Sequence, residues 1–212
     1  MLIKVCGMRE PENIRAVASL GVDMIGMIFY PKSPRYVQSR VDVEDRLPVQ
    51  RVGVFVDESI ANILKIIDTF HLDFVQLHGN ESPQFVTMLR DALNESGFSG
   101  VRLMKALSVQ APDEVDRWQA YQGLVDLLLF DTPTAGYGGS GRRFNWSLLA
   151  HYQGDIPFLL SGGIGPDDVE DILSFHHPML KGIDLNSRFE SAPAVKDVAL
   201  LRGFIHQLRH HG

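Results

Sequence analysis

Short apolar runs alternate with amphipathic segments from one end of the chain to the other. Leu2-Ile3-Lys4-Val5 is the first run, and its near-continuous hydrophobicity fits a parallel strand covered on both faces. Runs at 23–29, 52–56, 74–77, 101–105, 126–131, 157–161 and 182–185 repeat the pattern, and each reads as a strand. Pro11 opens the first helix, which stops near Gly21, and the segment 41–48 is expected to hold the second. Ser59 caps a helix through Ile60, Ile63, Leu64 and Ile67, a spacing that gathers one apolar face. Ser82-Pro83 starts another with a cap and a first-turn proline. Further helices are expected at 113–121, around 146–151, from Pro166 onward, and over 195–208. Eight strands, each followed by a helix, predict an α/β protein, a single (β/α)8 TIM barrel over residues 1–212. Alternation alone leaves an open doubly wound sheet in play; the count of eight favours the closed barrel.

The totals agree with that reading. A chain of 212 residues with 45% hydrophobic and 22% charged content is enough for one barrel and short for two domains. A formal net charge of −6 argues against a nucleic-acid partner or an anionic membrane surface. No apolar run is long enough to span a bilayer, and no basic region followed by a hydrophobic stretch opens the chain, so a cytoplasmic protein is expected. One cysteine leaves neither an internal disulfide nor a multi-cysteine zinc site, and the histidines at 151, 176, 177, 206, 210 and 211 lack metal-ligand spacing and read as surface.

Candidate chemistry sits at the C-terminal strand ends, where barrels build their active sites. Strand alternation puts Lys4 and Cys6 on one face, and Leu127, Leu129 and Asp131 on one face. Lys4 beneath the thiol is expected to pull its pKa down, while desolvation at the mouth is expected to raise that of Asp131. Such opposed environments make an acid/base pair. A lone cysteine is as often an inert small hydrophobe, and a turn carboxylate is common; facing each other across one mouth favours the chemical reading. Ser161-Gly162-Gly163-Ile164-Gly165 and Asp184-Leu185-Asn186-Ser187 follow strands seven and eight, where barrels usually hold a phosphate. A single Gly-Gly would read better as a tight turn; two loops at the two expected strands favour the anion.

Other positions carry less. Arg35 lies on a loop stiffened by two prolines, Pro31 and Pro34, and could pair bidentately with a carboxylate, although a solvated arginine is the commoner case. His78 ends strand four, where a sugar-binding and a core histidine stand about even. Arg142 and Arg143 in the glycine-rich segment 133–143 could close over an anion or stay solvated, and Lys105 at the end of strand five adds a local cation.

Taken together, Lys4-Val5-Cys6-Gly7, Ser33-Pro34-Arg35, Val52-Gly53-Val54-Phe55-Val56, Val75-Gln76-Leu77-His78-Gly79, Phe130-Asp131-Thr132, Gly138-Gly139-Ser140-Gly141-Arg142, Ser161-Gly162-Gly163 and Asp184-Leu185-Asn186-Ser187 resemble the phosphoribosylanthranilate isomerase family, in order and along the whole chain. The resemblance implies an Amadori rearrangement in tryptophan biosynthesis, with no cofactor and no metal. It implies Asp131 as the general acid that opens the ribose ring and Cys6 as the base that takes the C2 proton. It also implies Arg35 on the anthranilate carboxylate, Gly162, Gly163, Asn186 and Ser187 on the phosphate, and His78 and Asp184 near the sugar. The partner would be the small-molecule substrate, phosphoribosylated anthranilate, and the chain a monomer or homodimer. Arg142 stands where the family often has lysine, Asn186 where serine is common, and Arg188 where glycine is usual, so a φ > 0 backbone at 188 would cost energy. Two alternatives remain: a ring-closing barrel resembling indoleglycerol-phosphate synthase, which needs a lysine and a glutamate at strand ends, and a non-catalytic phosphometabolite-binding barrel.

Overall fold

The computed structural model describes residues 1–39, 47–131 and 146–210. Eight parallel strands close into a barrel in chain order: β1 (Leu2–Val5), β2 (Met24–Ile28), β3 (Gln50–Phe55), β4 (Phe74–Leu77), β5 (Arg102–Ser108), β6 (Leu127–Asp131), β7 (Phe158–Leu160) and β8 (Leu180–Leu185). The seam closes between β8 and β1 with Lys4 opposite Asp184 and Val5 opposite Leu185.

Two sets of apolar side chains make the core, as strand alternation demands. Met24, Val52, Phe74, Met104, Leu127, Leu129 and Leu159 point inward and fill the barrel. Their outward neighbours, among them Ile3, Val75, Leu103, Leu128, Phe130 and Ile183, pack beneath the helices. Each such residue, buried fully, contributes about 1.5–3 kcal/mol of transfer free energy, so the filled interior is a stable floor rather than a pore. Above it the inward set changes character: Cys6, Ile28 and Val54 form a small cluster bordered by polar side chains.

The helices follow local signals. In α2 (Ile60–Phe70) the Ser59 hydroxyl accepts from Asn62 N–H at 3.3 Å, and His71 ends the helix in the left-handed region. In α3 (Pro83–Glu95) Ser82 caps in the same way, at 3.2 Å from Phe85 N, ahead of Pro83. The first helix, α1 (Pro11–Ala18), starts where the proline predicts. The stretch expected to be helical over 113–121 is a single α-turn, α4 (Pro112–Val115), continued by a 3₁₀ segment, and 146–151 is 3₁₀ as well. The helix after β7 is α5 (Val169–Ser174). The expected helix at 41–48 falls mainly on residues outside those described, as does the 133–143 segment.

Two further expectations change. The last helix, α6, spans Val198–His210 rather than starting at 195, because Val195–Lys196 (β10) pairs antiparallel with Glu190–Ala192 (β9). Ala194 turns that hairpin at a φ of 69°. Strand β5 runs on to Ser108, which places Lys105 within the strand and not at its end.

Candidate active site

Cys6 follows β1 on its inward face, 4% exposed, with Lys4 two residues below. Lys4 is completely buried, and its Nζ donates to Asp184 Oδ1 at 2.8 Å. Burial alone would lower the Lys4 pKa, but the carboxylate and the neighbouring sulfur outweigh it and hold it above the ordinary lysine value. The thiol behaves otherwise than expected. Desolvation raises its pKa, and this outweighs the opposing pull of Lys4 and Lys196. A buried thiol that gives up its proton in such a place becomes a strongly basic thiolate. Room for the sulfur comes from Gly26 on the next strand, where a Cβ would sit 2.8 Å from Sγ.

Asp131 closes β6 and borders the same mouth cavity as Cys6, a cleft open to solvent. His78 lies beside it, with Nε2 at 3.6 Å from Asp131 Oδ2. Burial first, then the positive charges of Lys4 and Lys105, lowers the His78 pKa to about 4, so the ring is neutral near pH 7. On its other side Nδ1 lies 2.8 Å from Gln76 Nε2.

The loops after β7 and β8 border the cavity too. Gly162 and Gly163 adopt consecutive left-handed conformations, φ 86° and 74°, which only glycine takes readily. Ser187 opens a 3₁₀ turn (Ser187–Phe189), and Asn186 precedes it with Oδ1 accepting from Lys196 Nζ at 2.9 Å. Arg188 reaches across this mouth, its Nε and Nη2 each 3.2 Å from the position a Cβ would take on Gly165. The positive-φ positions outside glycine are Asp57, His71 and Ala194 among the described residues, so the strain anticipated at Arg188 does not arise.

Arg35 is placed differently. It does not border the cavity wall but crosses Gly7, with Cδ 2.5 Å from where a Cβ would stand. Its Nε and Nη2 donate to the Glu190 carboxylate at 2.7–3.1 Å. Glu190 also accepts from Lys196 Nζ at 2.5 Å. Burial opposes the charge on Glu190, yet the bonds from Arg35 and Lys196 prevail and hold its pKa below the usual glutamate value. Lys105, expected as a cation at the mouth, lies on the outer face of β5. There it donates to Leu77 O, Gly79 O and Glu81 Oε2, tying down the loop after β4. This pair supplies a lysine and a glutamate, but neither borders the cavity, so the ring-closing alternative gains nothing from it.

Cys6, His78, Asp131, Gly162, Gly163, Asp184, Asn186 and Ser187 therefore share one cavity, whereas Arg35 lies outside its lining, against Gly7. Arg142 and Arg143 lie outside the described residues. Among the histidines read as surface, His151, His176, His206 and His210 are exposed, while His177 is half-buried against Tyr152 and Phe158. Among the described residues no cluster of His, Cys, Asp and Glu could hold a metal ion. Sequence reasoning passed over Gln76, Glu190 and Lys196. Gln76 had a signal, a polar residue at the inward parity of an apolar strand; Glu190 and Lys196 had none, because the hairpin carrying them was read as loop and helix.

Comparison with known proteins points one way. The model of the N-(5'-phosphoribosyl)anthranilate (PRA) isomerase family matches residues 3–207. An N-(5'-phosphoribosyl)anthranilate isomerase from Parabacteroides distasonis is 47% identical over 99% of this chain and 94% of its own. The crystal structure of phosphoribosyl anthranilate isomerase from Thermus thermophilus superposes with a TM-score of 0.83 at 26% identity, covering 100% of both chains. A third isomerase, solved in complex with reduced 1-(o-carboxyphenylamino)-1-deoxyribulose 5-phosphate, gives a TM-score of 0.79 at 28% identity, covering 99% of this chain and 98% of its own. A closed eight-stranded barrel with its polar groups at the C-terminal mouth, matched nearly end to end by that family's sequence pattern, makes this chain a member of the phosphoribosylanthranilate isomerase family.

Proposed function

We propose that the protein isomerises N-(5'-phosphoribosyl)anthranilate to 1-(2-carboxyphenylamino)-1-deoxyribulose 5-phosphate, with Asp131 as general acid and Cys6 as general base. Asp131 gives its proton to the ribose ring oxygen. The C1–O bond breaks as the anilino nitrogen's lone pair forms a C1=N iminium. The Cys6 thiolate then removes the C2 proton, and the C–H electron pair makes the C1=C2 bond of an enolamine. The Cys6 thiol gives its proton to C1 as the enol proton leaves O2 for the Asp131 carboxylate, so the ketone forms and both groups return to their starting states. No atom or electron is gained overall.

The surroundings suit each step. The raised pKa of Cys6 makes its thiolate a strong base for a carbon acid, and the adjacent iminium increases the acidity of the C2 proton. The phosphate is placed against Gly162, Gly163 and the turn at Asn186 and Ser187, where backbone N–H groups favour an anion, with the Arg188 charge alongside. Asp184, held by Lys4, faces the sugar between them. Glu190 takes the Nε–Nη2 edge of Arg35 and leaves the Nη1–Nη2 edge for the ring carboxylate, since a planar guanidinium can serve two carboxylates at once.

The observation that carries this reading is that Cys6 and Asp131 border one cavity together with the glycine loop. Mixing the purified protein with fluorescent N-(5'-phosphoribosyl)anthranilate tests it: fluorescence should decay at a rate proportional to enzyme. A protein that binds the reduced product analogue but leaves the fluorescence unchanged would be a metabolite-binding barrel.

A further inference from the structure

Gln76 occupies the inward parity of β4, one step above Phe74 and opposite Val54 in the pairing with β3. It is 1% exposed and borders the mouth cavity. Its two amide atoms have unequal company. Nε2 lies 2.8 Å from His78 Nδ1, whereas the buried Oε1 has no hydrogen-bond partner among the described residues. Buried polar atoms are nearly always satisfied, so an orphan at the wall of a cavity points to a ligand.

The amide could be turned end for end, and the far side of the imidazole decides between the two orientations. His78 Nε2 faces the Asp131 carboxylate. A neutral imidazole carries one N–H, and placing it on Nε2 turns that hydrogen toward the Asp131 oxygen 3.6 Å away, whereas placing it on Nδ1 sets a lone pair against the carboxylate. Nδ1 is then an acceptor and needs an N–H from Gln76. Oε1 is left for the cavity.

The substrate offers few donors to such an oxygen. Its phosphate and ring carboxylate chiefly accept, and its anilino N–H has the ortho carboxylate within reach. The sugar hydroxyls remain. We infer that Gln76 Oε1 accepts a hydrogen bond from a hydroxyl of the pentose, while Nε2 of the same amide sets the tautomer that His78 presents to Asp131. The first role makes Gln76 a substrate-binding residue and the second a positioning residue. Both rest on the isomerase reading above.

Titration calorimetry with reduced 1-(o-carboxyphenylamino)-1-deoxyribulose 5-phosphate and its singly deoxygenated forms tests the first role. For the wild type, removing one particular hydroxyl should weaken binding about tenfold, the worth of one hydrogen bond. In Gln76→Met, which keeps the side-chain length, the same removal should change affinity less than about threefold. Gln76→Glu keeps an oxygen toward the cavity and should restore the discrimination. Steady-state kinetics of Gln76→Glu test the second role. A carboxylate accepts from Nδ1–H and strips the hydrogen from Nε2, so kcat should fall about tenfold or more while hydroxyl discrimination survives. Equal sensitivity of wild type and Gln76→Met to every hydroxyl overturns the first role, and an unchanged kcat in Gln76→Glu overturns the second. A wild-type protein that neither binds the analogue nor consumes substrate overturns the isomerase reading and this inference with it.

Discussion

Lys4 and Asp184 form an ion pair across the seam that closes the barrel, 2.8 Å apart, with side chains 0% and 6% exposed. The pair holds a cation under the Cys6 thiol and a carboxylate at the base of the cavity. Burial raises the Asp184 pKa and outweighs the opposing pull of Lys4 and Lys196, so the carboxylate depends on that company to carry its charge. Lys4→Met should therefore destabilise the protein by about 3–5 kcal/mol, since it leaves Asp184 buried and unpaired. The double variant Lys4→Met/Asp184→Leu should recover most of that loss. Urea denaturation measures both, and a near-neutral Lys4→Met would show that Asp184 is not charged in the folded state.

Cys6→Ser should lower kcat by about 10²–10⁴-fold and leave KM nearly unchanged, because a hydroxyl is a far weaker base than a thiolate. A variant that keeps most of its kcat places the base elsewhere.

Asp131→Asn should lose turnover on a similar scale, about 10²–10⁴-fold, since an amide cannot hand a proton to the ring oxygen. Binding of the reduced product analogue should persist. Turnover within a few-fold of wild type would remove Asp131 from the acid role.

Arg35→Ala should act mainly on KM, and selectively. Substrate bearing the ring carboxylate should bind more weakly, while a decarboxylated analogue should bind as it does to the wild type. Equal losses for the two compounds rule out that contact. Glu190→Gln should give a milder form of the same defect, because Glu190 orients the guanidinium through its Nε–Nη2 edge.

His78 gives the stability a pH dependence of known sign. Its folded pKa is lowered to about 4 from 6.5, so between these values the unfolded chain binds a proton that the native state refuses. Stability should thus fall as pH drops from 6.5 toward 4. His78→Gln should flatten that part of the profile, as read from urea midpoints. Identical slopes in the two proteins would mean the imidazole takes up its proton in the fold as it does in the unfolded chain.

The barrel was legible in the sequence because its signals are local. A period of two within short apolar runs marks strands, puts Lys4 below Cys6 on one face, and sets Asp131 in line with Leu127 and Leu129. Caps at Ser59 and Ser82 are read within three residues, and the structure keeps both. Lys105 shares the parity of Leu103 and Leu107, which pack outward, so it faces the outer wall, and the run of β5 on to Ser108 leaves it short of the mouth. The sign of the Cys6 shift and the company kept by Arg35 were out of reach of any local pattern. Lys4 meets a carboxylate 180 positions away and Arg35 one 155 positions away, and the desolvation that governs the thiol exists only once the barrel has closed around it. Periodicity belongs to neighbours along the chain, whereas charge pairing and burial belong to neighbours in space, and only the tertiary structure brings those together.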